Sequence, residues 1–489
     1  MIRLQAETLP NYQMFIDGKW VASHSGGRYP VHNPAKGSVL AQVPRGDAQD
    51  VEAAVEAARR AFEGREWRRM DPSKRGRLLF KLSQLLRERL AEFAKLETLN
   101  NGKPLGQAKG DVAMSARHFE YFAGLADKVQ GSTIPIPGNR LDYTVKEPIG
   151  VTAHVVPWNY PLVMAARSIA PALAVGDTVV AKPASFTPLT LLKFAEACKE
   201  AGIPDGVVNV VTGGGDELGG ALIGHPDVKL TALTGSVETG MKVMKLASSN
   251  LSRVILELGG KNPHIVFADA ELEKAARAVL SGIFTNAGQM CWAGSRLLVE
   301  AGAKDALLAR LVAGANGMKL GDGLQPDTSM GPLVAQSQRD RVAGYVEVGV
   351  AEGARIAAGG AAPSEEGLKE GYFYRPTILD GVTRDMRVAQ EEIFGPVLTV
   401  STFEGQDDAI AQANDSEYGL WAGVWTRDLR KAHTVAAELE SGIVAVNEEP
   451  TTFPQTPFGG FKKSGNSSEQ GMDAVSSYVR VKNVSVNLD

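Results

Sequence analysis

Residues 73–98 carry Leu78, Leu79, Leu82, Leu85, Leu86, Leu90 and Phe93 at helical spacing, the one-face period of an amphipathic helix. The pattern predicts a single helix, entered at Asp71-Pro72 and stopped at Asn101-Gly102. Residues 49–63 predict a second helix of the same kind. MFIDGKWV (14–21) reads as a hairpin turning at Asp17-Gly18.

From about residue 148 the rhythm changes. Short β-branched runs alternate with helical patterns: VTAHVV (151–156), TVVAK (178–182), VVNVV (207–211), LTALTG (230–235) and VILEL (254–258), with helices predicted near 162–174, 188–201 and 237–248 and a short one between. Such alternation predicts a parallel sheet covered on both faces, and ligands bind these sheets at the carboxyl ends of the strands. The predicted strands end in PWN, KPAS, TGGG, TGS and ELGG, five loops that point to one site. A second series, with NPHIVF (262–267), SRLLVE (295–300), VLTVSTF (397–403) and GIVAVN (442–447), predicts a second α/β domain. YVRVKNVSVNLD (478–489) reads as a terminal strand whose edge needs cover. LDYTVKEP (141–148) or a partner subunit could supply it.

A chain of 489 residues suggests two or more domains. Hydrophobic residues at 44% and charged residues at 22% are values of a folded globular protein. A net charge of −4 gives no footprint for nucleic acid or an anionic membrane. Two cysteines make no disulfide framework, the N-terminus has no apolar leader, and no apolar run reaches membrane-spanning length. These features together predict a soluble cytoplasmic protein. The seven histidines show no metal-ligand spacing.

One of the two cysteines, Cys291, lies in TNAGQMCWAGSR (285–296), among small and polar residues with no regular period. It is either a core cysteine or a nucleophile whose thiol pKa is lowered by nearby amides or cations. Ala287, Gly288 and Gly294 permit a tight turn that could aim the Cys291 amide at a developing oxyanion. Cys198, inside the helical pattern LLKFAEACKEAG, reads as a packing residue. Glu257 ends an apolar strand, where an acid is costly unless paired, for example with Lys261, or used as a base. Asn159, between prolines in VVPWNYP, is either a turn residue or an oxyanion donor. TGSVETG (234–240) ends a strand and opens a helix that Ser236 can cap, leaving amides suited to a pyrophosphate. GGGDELGG (213–220) lacks the spacing of a dinucleotide fingerprint. Lys182 could reach a ribose or a phosphate.

PWNYP (157–161), KPASFTP (182–188), TGSVETG (234–240), ELGGKNP (257–263), GQMCWAGSR (288–296), EEIFGPV (391–397) and PFGGFKKSG (457–465) stand in the order seen in the aldehyde dehydrogenase superfamily. The chain resembles that superfamily over essentially its whole length. The resemblance implies a Rossmann-like cofactor domain (1–124 and 149–258), an α/β catalytic domain (259–463) and a small β oligomerisation element (125–148 and 464–489), in a homodimer or homotetramer. It implies irreversible oxidation of an aldehyde to the acid with NAD or NADP. Cys291 is the implied nucleophile, Asn159 and the Cys291 amide the oxyanion donors, and Glu257 the base that hydrolyses the thioester. CoA-acylating relatives generally lack that base, so hydrolysis is the expected ending. A non-catalytic role of the kind known for lens proteins of this superfamily would not need these three residues together.

By the same resemblance Trp158, Lys182, Gly215, Gly235, Ser236, Gln338, Glu392 and Phe394 contact the cofactor. Ser185 stands where strongly NAD-preferring relatives carry a glutamate, which predicts that NADP is accepted and leaves a preference for NADP over NAD open. Tyr160, Met164, Arg167, Thr285, Met290, Trp292, Thr452, Phe453 and Phe458 are the implied substrate pocket, largely aromatic and apolar. This favours aromatic or medium-chain aliphatic aldehydes. Arg167 resembles the arginine that succinate semialdehyde dehydrogenases use for a carboxylate, which keeps a carboxylate-bearing semialdehyde as the alternative. Thr285 stands where those enzymes often carry a second arginine.

Overall fold

The computed structural model describes residues 10–489. Residues 1–9, part of the expected cofactor domain and of the segment read as lacking a leader, lie outside the described residues. No described helix is long and apolar enough to cross a membrane.

The predicted hairpin forms from Met14–Ile16 and Lys19–Val21. Asp17 and Gly18 turn it with φ of 51° and 71°, the paired left-handed geometry of a tight hairpin turn. It is the edge of a seven-stranded sheet in the order Arg253–Glu257, Val228–Thr234, Val151–Val156, Thr178–Pro183, Val208–Val210, Met14–Ile16, Lys19–Val21. The first five strands are parallel. Val151–Val156 comes first in the chain among them, and the sheet grows outward from it to both sides. The strand order therefore reverses beside Val228–Thr234, which opens a crevice at the carboxyl ends there.

The second α/β series builds another seven-stranded sheet, ordered Arg355–Ala358, Thr377–Asp380, Val397–Phe403, Arg296–Glu300, Pro263–Val266, Trp421–Trp425, Ile443–Val446. Only its Arg355–Ala358 edge is antiparallel. Each sheet lies within its own large apolar core.

The helix expected over 73–98 is two helices, Pro72–Glu88 and Leu90–Asn101, broken at Arg89 (φ −97°, ψ 17°). The Arg89 guanidinium is pinned by Glu92, Glu196 and Glu200 at 2.9, 2.9 and 3.0 Å. Buried leucines continue into Phe93 across the bend, so the apolar period does not reveal the break. The stop at Asn101-Gly102 is as expected, with Gly102 left-handed.

The tail strand Val479–Asn487 pairs antiparallel with Arg140–Pro148 over nine residue pairs. One of its edges is thus covered within the chain. Before that strand, the chain returns from the second sheet to the first. Leu258 N donates to Ser464 O (2.7 Å), and Ser464 Oγ donates to Gly259 O (2.7 Å). This return lays residues 464–471 against the end of the strand that bears Glu257.

Candidate active site

Two cavities meet at Cys291 and Asn159, which line both. One, of about 220 Å³, opens along the carboxyl ends of the first sheet. The other, of about 320 Å³, runs between the helices Leu105–Leu125 and Pro161–Val175 and the segment 450–458. A molecule in either reaches the same thiol.

The Cys291 turn is held by an amide network. Asn286, Ala287 and Gly288 are consecutively left-handed, with φ of 49°, 53° and 72°, a costly conformation for the two non-glycine residues. A Cβ at Gly288 would stand 2.1 Å from Gly395 O, and one at Gly294 2.2 Å from the His264 ring. Asn286 Nδ2 donates to Asn159 O (2.9 Å), and Asn159 Nδ2 donates to Gln289 O (2.9 Å). Gln289 Oε1 accepts from Val334 N at 2.9 Å. Asn262 Nδ2 donates to the Cys291 and Ala293 carbonyls at 3.0 and 2.9 Å, and its Oδ1 accepts from Trp421 N at 2.9 Å. An amide nitrogen carries two N–H groups. Among the described residues only Gln289 O accepts from Asn159, which leaves its second N–H for a ligand oxygen.

Glu257 is buried, and neither carboxylate oxygen has a hydrogen-bond partner. Burial holds its pKa well above the ordinary carboxylate range, with Arg167 opposing and Glu469 adding. Lys261 does not pair with it. The Lys261 amine is itself buried without a partner, and burial brings its pKa down to about 7. The thiol departs from expectation. Burial pushes Cys291 up to about 12, with Arg167 opposing and Glu257 and Glu392 adding, so desolvation and neighbouring carboxylates outweigh the cation.

Arg167 is buried in the wall of the larger cavity. Its Nε forms an ion pair with Glu469 Oε2, its guanidinium lies 4.4 Å from the Phe458 ring centroid, and an Nη reaches Thr234 Oγ1 at 3.4 Å. A protein carboxylate meets the charge.

Of the expected cofactor residues, Trp158, Gly235, Ser236, Gln338, Glu392 and Phe394 line the smaller cavity. Ser236 caps the helix Val237–Ala247 by accepting from Thr239 N at 3.2 Å. Phe394 is left-handed (φ 62°), and its carbonyl accepts from Gln338 Nε2 at 2.9 Å. The Trp158 ring meets Phe394 edge-on at 5.2 Å. Glu392 Oε1 accepts from Gly260 N at 3.0 Å, and burial raises this carboxyl to about 7. A Cβ at Gly259 would stand 2.2 Å from Glu392 Oε2.

Lys182, Ser185 and Gly215 do not line this cavity. Lys182 lies on the same edge, since it and Leu233 flank Val155 from either side. Burial lowers its amine to about 8. Ser185 Oγ donates to Gly213 O at 3.0 Å, and Gly215 is exposed before the helix Glu217–Ile223.

Of the expected substrate residues, Tyr160, Met164, Arg167, Trp292, Thr452 and Phe458 line the larger cavity. Thr285, Met290 and Phe453 do not. Met290 faces the second core, Thr285 opens the turn before the cysteine, and Phe453 is half exposed. The left-handed turn re-aims its side chains, which sequence spacing alone does not reveal. Sequence reasoning also missed Asp111, Met114, Asn262, Asn286, Glu469 and Gln470. Of these only Asn262, which ends ELGGKN, and Asn286, inside the irregular stretch 285–296, stand in a conspicuous local pattern.

A family model described as the aldehyde dehydrogenase family matches residues 20–484. The betaine aldehyde dehydrogenase of Bacillus subtilis (strain 168) is 45% identical over 473 residues, covering 96% of each chain. The hydroxyisobutyraldehyde dehydrogenase of Mycolicibacterium austroafricanum is 45% identical over 476 residues, covering 97% of this chain and 94% of its own. The NAD+ complex of an aldehyde dehydrogenase from Bacillus cereus superposes with a TM-score of 0.96 at 44% identity, covering 98% of this chain and 97% of the other.

Proposed function

The chain belongs to the aldehyde dehydrogenase family, and we propose that it oxidises an aromatic or medium-chain aliphatic aldehyde to the carboxylic acid, using Cys291 as nucleophile. The observation that carries this reading is the meeting of two cavities at one thiol, with the Asn159 amide beside it and the unpaired carboxyl of Glu257 buried nearby.

Cys291 adds through sulfur to the aldehyde carbonyl. Because burial holds the thiol up, its proton must leave to a base as the bond forms, and Glu257 has the raised pKa suited to accept it. The free N–H of Asn159 and the Cys291 backbone amide bind the oxyanion that develops. The bound dinucleotide supplies the hydride acceptor. Loss of hydride from the thiohemiacetal carbon leaves a thioester on Cys291. Glu257 releases the thiol proton to solvent, then takes a proton from water, and hydrolysis of the thioester returns the Cys291 thiol and makes the overall reaction irreversible.

The smaller cavity suits the nicotinamide half of a dinucleotide, whose adenosine half would run out along the same sheet edge. It lies at the strand-order reversal, beside the amino end of an eleven-residue helix capped by Ser236. Trp158, Gly235, Ser236, Gln338, Glu392 and Phe394 would hold the nicotinamide half and the phosphates, with Lys182, Ser185 and Gly215 towards the adenosine. The NAD+ complex of the Bacillus cereus relative supports NAD as a cofactor. Ser185 offers no carboxylate to repel a 2′-phosphate, so NADP is accepted as well.

The larger cavity presents Tyr160, Trp292 and Phe458, with Trp292 and Phe458 edge-on at 5.7 Å. Its arginine is already paired with Glu469, so an anionic substrate is not needed to satisfy that charge. Residues 1–124 with 149–258 form the cofactor domain and 259–463 the catalytic domain in this reading. The paired strands 140–148 and 479–487, with Leu141, Val145, Val481 and Val486 exposed, mediate a homodimer or homotetramer within the element 125–148 and 464–489.

The test is steady NADH formation from an aldehyde panel without CoA or phosphate. It is expected in the wild-type protein and absent in Cys291→Ala. A requirement for CoA, or turnover surviving in Cys291→Ala, would overturn the reading.

A further inference from the structure

Three aromatic side chains line the larger cavity, those of Tyr160, Trp292 and Phe458. The face of such a ring attracts a cation within about 6 Å of its centre, and several rings together make a cage for an ammonium group. Two of these three rings are already engaged by the protein's own cations. The Arg167 guanidinium lies 4.4 Å from the Phe458 centroid, and the Lys103 ammonium lies 3.8 Å from that of Tyr160. That leaves Trp292, directly after Cys291 and edge-on to Phe458, and one ring does not make a cage.

The two cations differ in place. Arg167 is itself in the cavity lining, whereas its ion-pair partner Glu469 is not. The guanidinium therefore stands where a ligand ammonium would stack on Phe458, with the carboxylate behind it. Lys103 is fully buried and outside the lining, so it backs Tyr160. A cation on one face of a ring weakens what the other face offers to a second cation.

The other charged residue in the lining is Asp111. Its Oδ2 accepts from Lys103 Nζ at 2.5 Å. Glu97 stands 3.7 Å from the same ammonium. Burial holds the Glu97 carboxyl above the ordinary range, with Lys103 opposing and Asp111 adding, so Lys103 and Asp111 are matched one to one. Both charges in the cavity wall thus have a partner, and both pairs set their cation against a ring.

We propose that Arg167 is a specificity-determining residue of the larger cavity. It occupies the seat that an ammonium group would take on Phe458, so the site admits neutral aldehydes and excludes those with a cationic far end. The proposal rests on the aldehyde reading of this cavity and narrows it.

Two aldehydes of one shape separate charge from size: trimethylammoniobutanal and its carbon isostere, in which tert-butyl replaces the trimethylammonium group. In the wild-type protein kcat/KM should favour the neutral aldehyde by at least about tenfold. Arg167→Met/Glu469→Gln removes the cation together with its carboxylate, so net charge is kept while the Phe458 face opens. The neutral-to-cationic ratio of kcat/KM should then fall about tenfold. Loss of active protein does not alter this ratio, and Arg167→Gln/Glu469→Gln serves where the first variant does not fold. Adding Phe458→Leu takes the ring away and should restore the ratio to within about threefold of wild type. An unchanged ratio in the double variant, a shift that persists without the ring, or equal use of both aldehydes by the wild-type protein would each overturn the proposal. Calorimetric binding of the two corresponding alcohols to the wild-type protein with NAD reads the same preference without turnover. Tighter binding of the neutral alcohol is expected, and equal binding counts against the proposal. If the wild-type protein oxidised neither aldehyde, the aldehyde reading would fail, while the alcohols would still decide whether the seat is taken.

Discussion

Arg167→Met separates two accounts of the buried arginine. In the structure the guanidinium pairs with Glu469, stacks on Phe458 and acts on Glu257 and Cys291 through space. Removing it leaves the Glu469 carboxylate buried without its cation. Breaking a buried pair from one side costs about 3–5 kcal/mol, so Arg167→Met should unfold at clearly lower denaturant. Arg167→Met/Glu469→Gln removes the charge from both sides. It should recover most of that loss, because the penalty is the orphaned charge rather than the missing attraction. The kinetic sign follows from the same charges. Arg167 lowers the pKa of both Glu257 and Cys291, so its removal raises both, and the acid limb of the kcat/KM profile moves to higher pH. A shift of about one pH unit means about tenfold less activity on that limb, equivalent to ~1.4 kcal/mol. Glu469→Gln removes a charge that raises Glu257, so its limb moves the other way. The assay is NADH formation across pH with a neutral aldehyde and a carboxylate-bearing one, alongside denaturant unfolding at fixed protein concentration. The charge-pair account requires both substrates to be affected alike. An unchanged pH profile with a KM defect confined to the carboxylate-bearing aldehyde would refute it and restore anion recognition by Arg167.

Glu257→Gln should abolish steady turnover and also slow the single burst of NADH, because the same carboxylate takes the thiol proton in acylation and activates the water in hydrolysis. Its stability should also lose a pH slope: the folded state holds the Glu257 proton above the pH at which an unfolded carboxyl releases it, so that contribution is full at low pH and lost as pH rises. Calorimetry of both proteins from acid to neutral pH checks this, and parallel curves would contradict a raised Glu257. Wild-type initial rates with both cofactors should show NADP use; an NAD preference above about a hundredfold, roughly 2.7 kcal/mol, would end the Ser185 argument. Ser185→Glu should add at least tenfold to discrimination against NADP. Gly288→Ala places a Cβ 2.1 Å from Gly395 O at a left-handed φ; it should cost about 1–3 kcal/mol or more and lower kcat by displacing Cys291, whereas an unaffected kcat would mean the turn tolerates the shift.

What the sequence made legible follows from how local each signal is. The β-branched runs, the Asp17-Gly18 turn, the Gly102 stop and the Ser236 cap are properties of a few adjacent residues, and each forms where the pattern predicts. The break at Arg89 is not local. It depends on Glu196 and Glu200, more than 100 residues away, while the leucine period runs through it unchanged. The site divides in the same way. Glu257 is conspicuous as an acid ending an apolar strand, Cys291 by its irregular stretch and Asn159 by its flanking prolines, and the order of the motifs singles out all three. The resemblance implies Met290 and Phe453 as pocket residues, yet Met290 packs in the second core after the consecutive left-handed residues 286–288, and Phe453 is half exposed.

Glu469 and Gln470 show where this kind of reading stops. Both sit in GNSSEQG, a polar stretch with no periodic signal. Their importance exists only after the chain has crossed from the second sheet back to the first and laid 464–471 against the Glu257 strand. A buried charge can be seen in sequence as an anomaly, as Glu257 is at the end of its apolar strand. The partner of a buried charge cannot, because it is chosen by tertiary register, and Arg167 and Glu469 lie about 300 positions apart. The partner nevertheless decides function. An unpaired Arg167 would ask for an anionic substrate, whereas one paired with Glu469 becomes part of the electrostatics of Glu257 and Cys291. Substrate class in this fold therefore depends less on which charged residues face the tunnel than on which of them the protein has already neutralised.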